Sequence, residues 1–270
     1  MDEPDAATGY ADVDRALHWF LAQARVLLGA EFAGMYLVGS LALGDFDPAN
    51  SDIDFIVVTE AELAPAVIGA LRDMHVRFDQ SGPPLAGRVE AVYVERAALR
   101  IFPPGERAYP QVERERGFFV EPLEMGWIFQ CWTLREHGVV LAGPAPKDLI
   151  PPLDPDEMRR AAAPIALMWQ REAREDPTWL EWLRERQSQA FVVLTLCRLL
   201  YTLDRAEVAS KPAAARWALQ ALDAQWSKLI AGALAGRHTP GHIEPWEEQQ
   251  TLALIDYTVA GFHERLARRS

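Results

Sequence analysis

The stretch "YLVGSLALGDFDPANSDIDFIVV", Tyr36 to Val58, sets a Gly-Ser pair, an acidic loop and two aspartates between two apolar runs. A lone carboxylate is costly to bury, yet Asp52 and Asp54 are interleaved with Ile53 and Phe55. In an extended strand residues i and i+2 face the same side, so the two aspartates share one face and Ile53 and Phe55 the other. Two carboxylates this close repel, and one is pushed toward protonation unless a cation neutralises them. The stretch is therefore either a solvent-facing strand edge or a cation site. Hard oxygen ligands in this arrangement suit Mg²⁺, which takes one or two carboxylates together with phosphate oxygens and water. Upstream, Gly39-Ser40 follows an apolar strand and precedes Leu41-Ala42-Leu43. A strand, a tight turn and a helix start form a cradle of backbone N–H groups suited to phosphate. Together these features describe a nucleoside triphosphate site.

Composition narrows the classes. The chain of 270 residues has 50% hydrophobic and 24% charged residues, enough for one large or two moderate domains. Its formal charge of -12 argues against nucleic acid as a partner, since that work falls to basic patches. The acidity is unevenly spread. Up to Ala145 there are 11 Lys+Arg against 22 Asp+Glu, and after it 16 against 17. The two cysteines, Cys131 and Cys197, lie far apart in apolar, helix-like runs, which reads as reduced core residues. The start, MDEPDAATGY, has no signal-peptide core, and no apolar run approaches a membrane span. The expectation is a cytoplasmic protein with no membrane partner.

The proline-rich segment "LAGPAPKDLIPPLDP", Leu141 to Pro155, is the candidate linker. Before it, helical periodicity over 12–28, 61–74 and 124–136 alternates with short strands over 35–38, 53–58 and 89–94. After it no convincing strand occurs. Helices are expected over 156–174, 187–203, 212–222, 225–234 and 245–266. The fold class is α+β, a mixed sheet with helices followed by an α-helical bundle.

Gly-Ser, a spacer, then Asp-x-Asp in an apolar strand resembles the signature of the nucleotidyltransferase superfamily. Here it reads Gly39-Ser40 to Asp52-Ile53-Asp54. The segments "REHGVVLAGP" from Arg135, "VVLTLCRLLY" from Val192 and "SKPAAARWAL" from Ser210 are similar to the bacterial aminoglycoside (3'')(9) adenylyltransferases, which confer streptomycin and spectinomycin resistance. The resemblance implies a nucleotidyltransferase domain over 1–145 and a helical substrate- and nucleotide-binding domain over 146–270. It implies Mg²⁺ as cofactor, ATP as co-substrate and a cationic small-molecule acceptor, with AMP passed to a hydroxyl of an aminoglycoside-type antibiotic. Asp52 and Asp54 would hold the metal. A third carboxylate is implied on a neighbouring strand, where "RVEAVYV" offers Glu90 as catalytic base and further metal ligand, with Glu95 as the other candidate. Gly39 and Ser40 would seat the triphosphate, and Arg198 and Lys211 would reach the phosphates. For Arg198, a salt bridge to the protein's own carboxylate is the alternative.

The acceptor region departs from the family. Members that take both drugs carry a Trp and an acidic residue before the "VVLTL" helix, whereas "REDPTWLEWLRERQSQAF" is longer and has no clean register. Trp179 or Trp182 with Glu181 or Glu185 are the candidates for substrate contact, and plain packing is the alternative for the tryptophans. There is no P-loop motif, and His238 and His242 are separated by Pro240-Gly241, which argues against a shared metal. Two other readings stay open. One is the same chemistry on a different small molecule, and the other an antitoxin-like or regulatory nucleotidyltransferase acting on a protein. The ~115-residue helical half weighs against the latter, because such modules are commonly minimal catalytic domains.

Overall fold

The computed structural model describes residues 8–102, 105–114 and 116–267. The chain divides into two compact units, Met1–Pro152 and Leu153–Ser270, and the break comes inside the proline-rich stretch.

The first unit is built on a six-stranded mixed sheet in the order β5-β4-β3-β2-β1-β6. The strands are β1 (Phe32–Leu37), β2 (Ile53–Thr59), β3 (Val89–Glu95), β4 (Ala108–Glu113), β5 (Gly117–Pro122) and β6 (Val139–Ala142). Only β2 and β3 run parallel, joined through helix α3 (Pro65–Gln80), and the other neighbours are antiparallel. Helix α1 (Ala11–Leu28) buries Val13, Ala16, Leu17, Phe20, Ala24 and Leu28, a stripe at helical spacing. With Leu71, Met74 and Phe78 of α3 it covers one face of the sheet, where Ile53, Phe55, Val57, Val89, Ala91 and Tyr93 point into a common core. Because side chains alternate along a strand, the residues between these, Asp54 and Ile56 on β2 and Glu90 and Val92 on β3, face the other way. On that side lie the short turn α2 (Gly39–Ala42) and helix α4 (Trp127–His137). The Trp127 indole N–H anchors the start of α4 on the carbonyl of Ala98 at 2.9 Å. The brief helix α5 (Pro146–Leu149) completes the unit.

The helix expected over 61–74 instead begins at Pro65, whose fixed φ suits a first turn, and runs on to Gln80. Three strands have no counterpart in the expected alternation. β4 carries Pro110, which reads as a strand breaker, but its ladder to β3 involves Gln111 and Val112 and leaves Pro110 outside. β5 and β6 are the two edges; β5 is largely exposed and β6 is a half-buried run of only four residues, so neither shows the signature of the central strands.

The second unit is helical: α6 (Pro155–Glu175), α7 (Pro177–Leu183), α8 (Arg186–Arg205), α9 (Lys211–Ala221), α10 (Ser227–Gly236) and α11 (Pro245–Ala267). α8 is the central member and packs against α6, α9, α10 and α11. Its buried residues include Val192, Val193, Leu196, Leu199, Leu200 and Leu203, and its one deeply buried amide, Gln189, donates to Thr251 Oγ1 at 3.1 Å. Asp154 and Asp176 cap α6 and α7 by accepting from the amides of Asp156 and Thr178. α7 was not expected, being too short to show a helical period. Cys131 and Cys197 are both buried and free. Among the described residues no helix is long and apolar enough to cross a membrane.

Candidate active site

The parallel ladder pairs Ile53 with Val89 and Asp54 with Glu90, so the two acids stand side by side on the face opposite the core. Glu90 is pushed up to about 8, first by burial and then by the charges of Asp54 and Asp52 and a side-chain hydrogen bond with Asp54. Two half-buried carboxyls in contact cannot both ionise cheaply, and a shared proton is the resolution the geometry provides. Asp52 stands just before β2, and its Oδ1 lies 3.3 Å from Nη1 of Arg114 in the β4–β5 turn. As the side chains stand, no group of three or more His, Cys, Asp or Glu among the described residues forms a ready metal cage. The donor set nonetheless has the chemistry a hard divalent cation requires. Asp52, Asp54 and Glu90 are oxygen donors converging from adjacent strand ends, and at present a proton and a guanidinium offset their charge.

Gly39 makes this convergence possible. It has φ +64, and a Cβ there would lie 1.9 Å from Asp54 Oδ2. The amide of Val38 donates to the Asp54 carbonyl at 2.9 Å, which ties the turn to β2. Ser40 follows in the same turn, and its carbonyl accepts from the Asp45 amide at 3.0 Å. The loop that delivers Asp52 is folded on itself. Asp47 receives hydrogen bonds from the Ala49 amide and the Asn50 side chain, and the Asp47 amide donates to Ser51 Oγ. Arg88, just before β3, donates to the carbonyls of Pro48 and Ser51 and pins this loop from the neighbouring strand.

Beside Asp54 and Glu90 opens a cavity of about 170 Å³, lined also by Gln111 and Glu113 of β4, by Glu124, and by Trp127 and Gln130 of α4. Glu95, the other candidate for the third carboxylate, stands at the far end of β3, opposite Thr59, and is held by Arg107 at 2.6 Å. The carboxylate in register with Asp54 is Glu90.

The remaining candidates belong to the second unit. Arg198 sits midway along α8, and Lys211 is the first residue of α9, beside the Ser210 cap that accepts from the Ala213 amide. Lys211 Nζ lies 4.2 Å from the centroid of the Phe191 ring. Trp179, Glu181 and Trp182 lie on α7, with the two indoles 6.0 Å apart, and Trp182 is 42% exposed. Glu185 immediately precedes α8 without a side-chain capping bond, and its carboxylate meets His242 Nδ1 at 3.2 Å.

Arg88, Arg114, Gln111 and Glu113 escaped sequence reasoning. For Gln111 and Glu113 the missing step was strand β4, because only its pairing places them on the face of Glu90, and Arg114 reaches Asp52 from the turn that follows that strand.

A model of the nucleotidyltransferase domain matches residues 27–90, and a model of the aminoglycoside adenylyltransferase C-terminal domain matches residues 162–260. The chain is 24% identical over 246 residues to spectinomycin 9-adenylyltransferase from Campylobacter jejuni, spanning 87% of this chain and 89% of that protein. It is 31% identical over 210 residues to the aminoglycoside (3'') (9) adenylyltransferase of Klebsiella pneumoniae, spanning 73% and 74% respectively. In fold it is similar to spectinomycin adenyltransferase AAD(9) from Enterococcus faecialis, solved with ATP and spectinomycin. That match has a TM-score of 0.66 and 18% identity and covers 92% of this chain and 98% of that one. The α+β architecture, the Gly39-to-Asp54 turn and these likenesses agree, and the chain belongs to the aminoglycoside (3'')(9) adenylyltransferase family of nucleotidyltransferases.

Proposed function

We propose that the protein transfers AMP from ATP to a hydroxyl of a cationic aminoglycoside-type acceptor, with spectinomycin the first candidate, and that the reaction depends on Mg²⁺. The observation that carries this reading is the register pairing of Asp54 with Glu90 against the Gly39 turn. When bound, the metal supplies charge neutralisation on the phosphate oxygens at Asp52 and Asp54. Gly39 and Ser40 seat the phosphates at the end of β1, and for Arg198 and Lys211 of the second unit a phosphate role stays what the family resemblance implies. Glu90, relieved of its shared proton, accepts the proton of the acceptor hydroxyl. The hydroxyl oxygen then bonds to the α-phosphorus, the bond from that phosphorus to the bridging oxygen breaks, and pyrophosphate leaves. Positioning and electrostatics supply most of the rate in such transfers. Whether streptomycin is also accepted depends on the Trp179–Glu185 segment.

The test is pyrophosphate release from Mg·ATP with spectinomycin and streptomycin offered separately, alongside Glu90→Gln. Release with at least one drug, lost in the variant, is expected. ATP binding without release for either drug would move the acceptor outside this class and favour another small molecule or a protein.

A further inference from the structure

Beyond Glu90 the cavity lining includes the hydrogen-bond acceptors Gln111, Glu113 and Glu124. Gln111 stands opposite Val92 on the β3–β4 ladder, and Val92 shares its face with Glu90, so Gln111 faces the cavity. It is only 7% exposed. Its Nε2 donates to the main-chain carbonyl of Glu121 at 3.0 Å and, more weakly, to that of Tyr109 at 3.5 Å. With the nitrogen committed to the ladder, Oε1 is the amide's remaining acceptor. Glu113, two residues on, lies on the same face. Burial raises its carboxyl against the opposing pull of Arg116, which lies 3.8 Å from Glu113 and more closely, at 2.7 Å, on Glu121. Glu124 closes the same wall, and among the described residues no Lys, Arg or His lines the cavity.

We propose that Gln111, Glu113 and Glu124 form the acceptor-recognition wall of the site, binding a protonated amine of the acceptor so that its hydroxyl comes to rest at Glu90. The inference rests on the adenylyltransferase reading of Glu90. It places recognition of positive charge in the first unit, apart from the Trp179–Glu185 segment. Charge-assisted hydrogen bonds to carboxylates are stronger and shorter than neutral ones. A wall made of acceptors leaves its groups unpaired when the ligand lacks donors, so it rejects neutral and anionic molecules more strongly than it rewards shape. Gln111 contributes direction: with its nitrogen held by two main-chain carbonyls, the plane of its amide and hence the placing of its acceptor oxygen are fixed. The proposal adds no covalent step. The wall orients the acceptor, and bond making and breaking stay at Glu90 and the α-phosphorus.

The test compares wild type, the near-isosteric pair Glu113→Gln/Glu124→Gln, Gln111→Met, and Glu31→Gln, which removes a carboxylate of the same unit away from the cavity. Binding of spectinomycin and of streptomycin is measured by calorimetry without ATP, and KM for each by pyrophosphate release. For the accepted drug, the paired variant is expected to raise Kd and KM by about tenfold or more. Gln111→Met should raise both by about threefold to tenfold. Glu31→Gln should leave both within about twofold, as expected if local contact rather than net charge is responsible. If wild type turns over a drug and the paired variant binds it within about twofold of wild type, the wall is overturned while the adenylyltransferase reading stands. If wild type binds neither drug and releases no pyrophosphate with either, both are overturned.

Discussion

Asp54 and Glu90 are partners across the parallel β2–β3 ladder and share a side-chain hydrogen bond, which requires a proton between them when no cation is bound. The pair is a consequence of register. A shift of one residue would turn one of the two acids into the core against α1 and α3.

The proton gives the protein a characteristic pH dependence. Glu90 holds it in the folded state to about 8 and releases it in the unfolded chain near 4.5. The folded state therefore binds more protons across that window. The Glu90 contribution is complete below the unfolded value and is lost as pH rises through the folded one. In urea unfolding with a chelator present, wild type is expected to lose stability relative to Glu90→Gln between about pH 5 and about pH 9, by an amount on the order of a few kcal/mol. Parallel curves for the two proteins would contradict the shared proton.

Gly39→Ala places a methyl where Asp54 Oδ2 now lies, in a backbone conformation that L side chains rarely adopt. The turn or the carboxylate must move. The expected cost is about 1–3 kcal/mol of stability, together with a loss of turnover of about a hundredfold from displaced catalytic geometry. Thermal unfolding and steady-state kinetics read the two effects separately, and wild-type behaviour in both would contradict the close approach.

Arg88→Ala removes two hydrogen bonds from a guanidinium to the loop that delivers Asp52. A loss of about 1–2 kcal/mol is expected. Limited proteolysis should find the 47–51 loop more readily cleaved than in wild type. Unchanged protection would mean that the Asp47 hydrogen bonds hold the loop without Arg88.

His75 is buried between Phe20 and Tyr93, its Nε2 lies 2.7 Å from the Tyr93 hydroxyl, and burial lowers it from 6.5 to about 3. The unfolded chain binds the proton first, so stability is lost as pH falls from 6.5 toward the folded value. His75→Gln does not titrate in that range. Its denaturation midpoint is expected to fall less steeply below about pH 6 than that of wild type.

The halves of the chain differ in how much could be read from their residues. In the second unit the helices expected over 156–174, 187–203, 212–222, 225–234 and 245–266 all form, because helical order is local and repeats every few residues. Only α7, too short to show a period, was missed. In the first unit the buried strands β2 and β3 and helix α1 were visible for the same reason. The edge strands were not, because β5 is largely exposed, and β6 is only four residues long and pairs with β1, distant in the chain.

For the site, the local pattern was sufficient to pick out Gly39, Asp52 and Asp54, since a tight turn and alternating acids leave their mark within a few residues of each other. Glu90 was already preferred to Glu95 from the sequence, and the register of β3 against β2 supplies the spatial reason, since Glu90 meets Asp54 and Glu95 meets Thr59. Gln111 and Glu113 carry no local signal at all. They reach the cavity because β4 pairs with β3, and Arg88 and Arg114 matter because their side chains cross to groups far away in the chain. Sequence alone determined the long helices, the buried strands and which turn and acids stand out, since those follow from short-range sterics and hydrophobic period. Tertiary structure alone decided which distant groups surround those acids, since strand pairing brings together residues that no local rule relates.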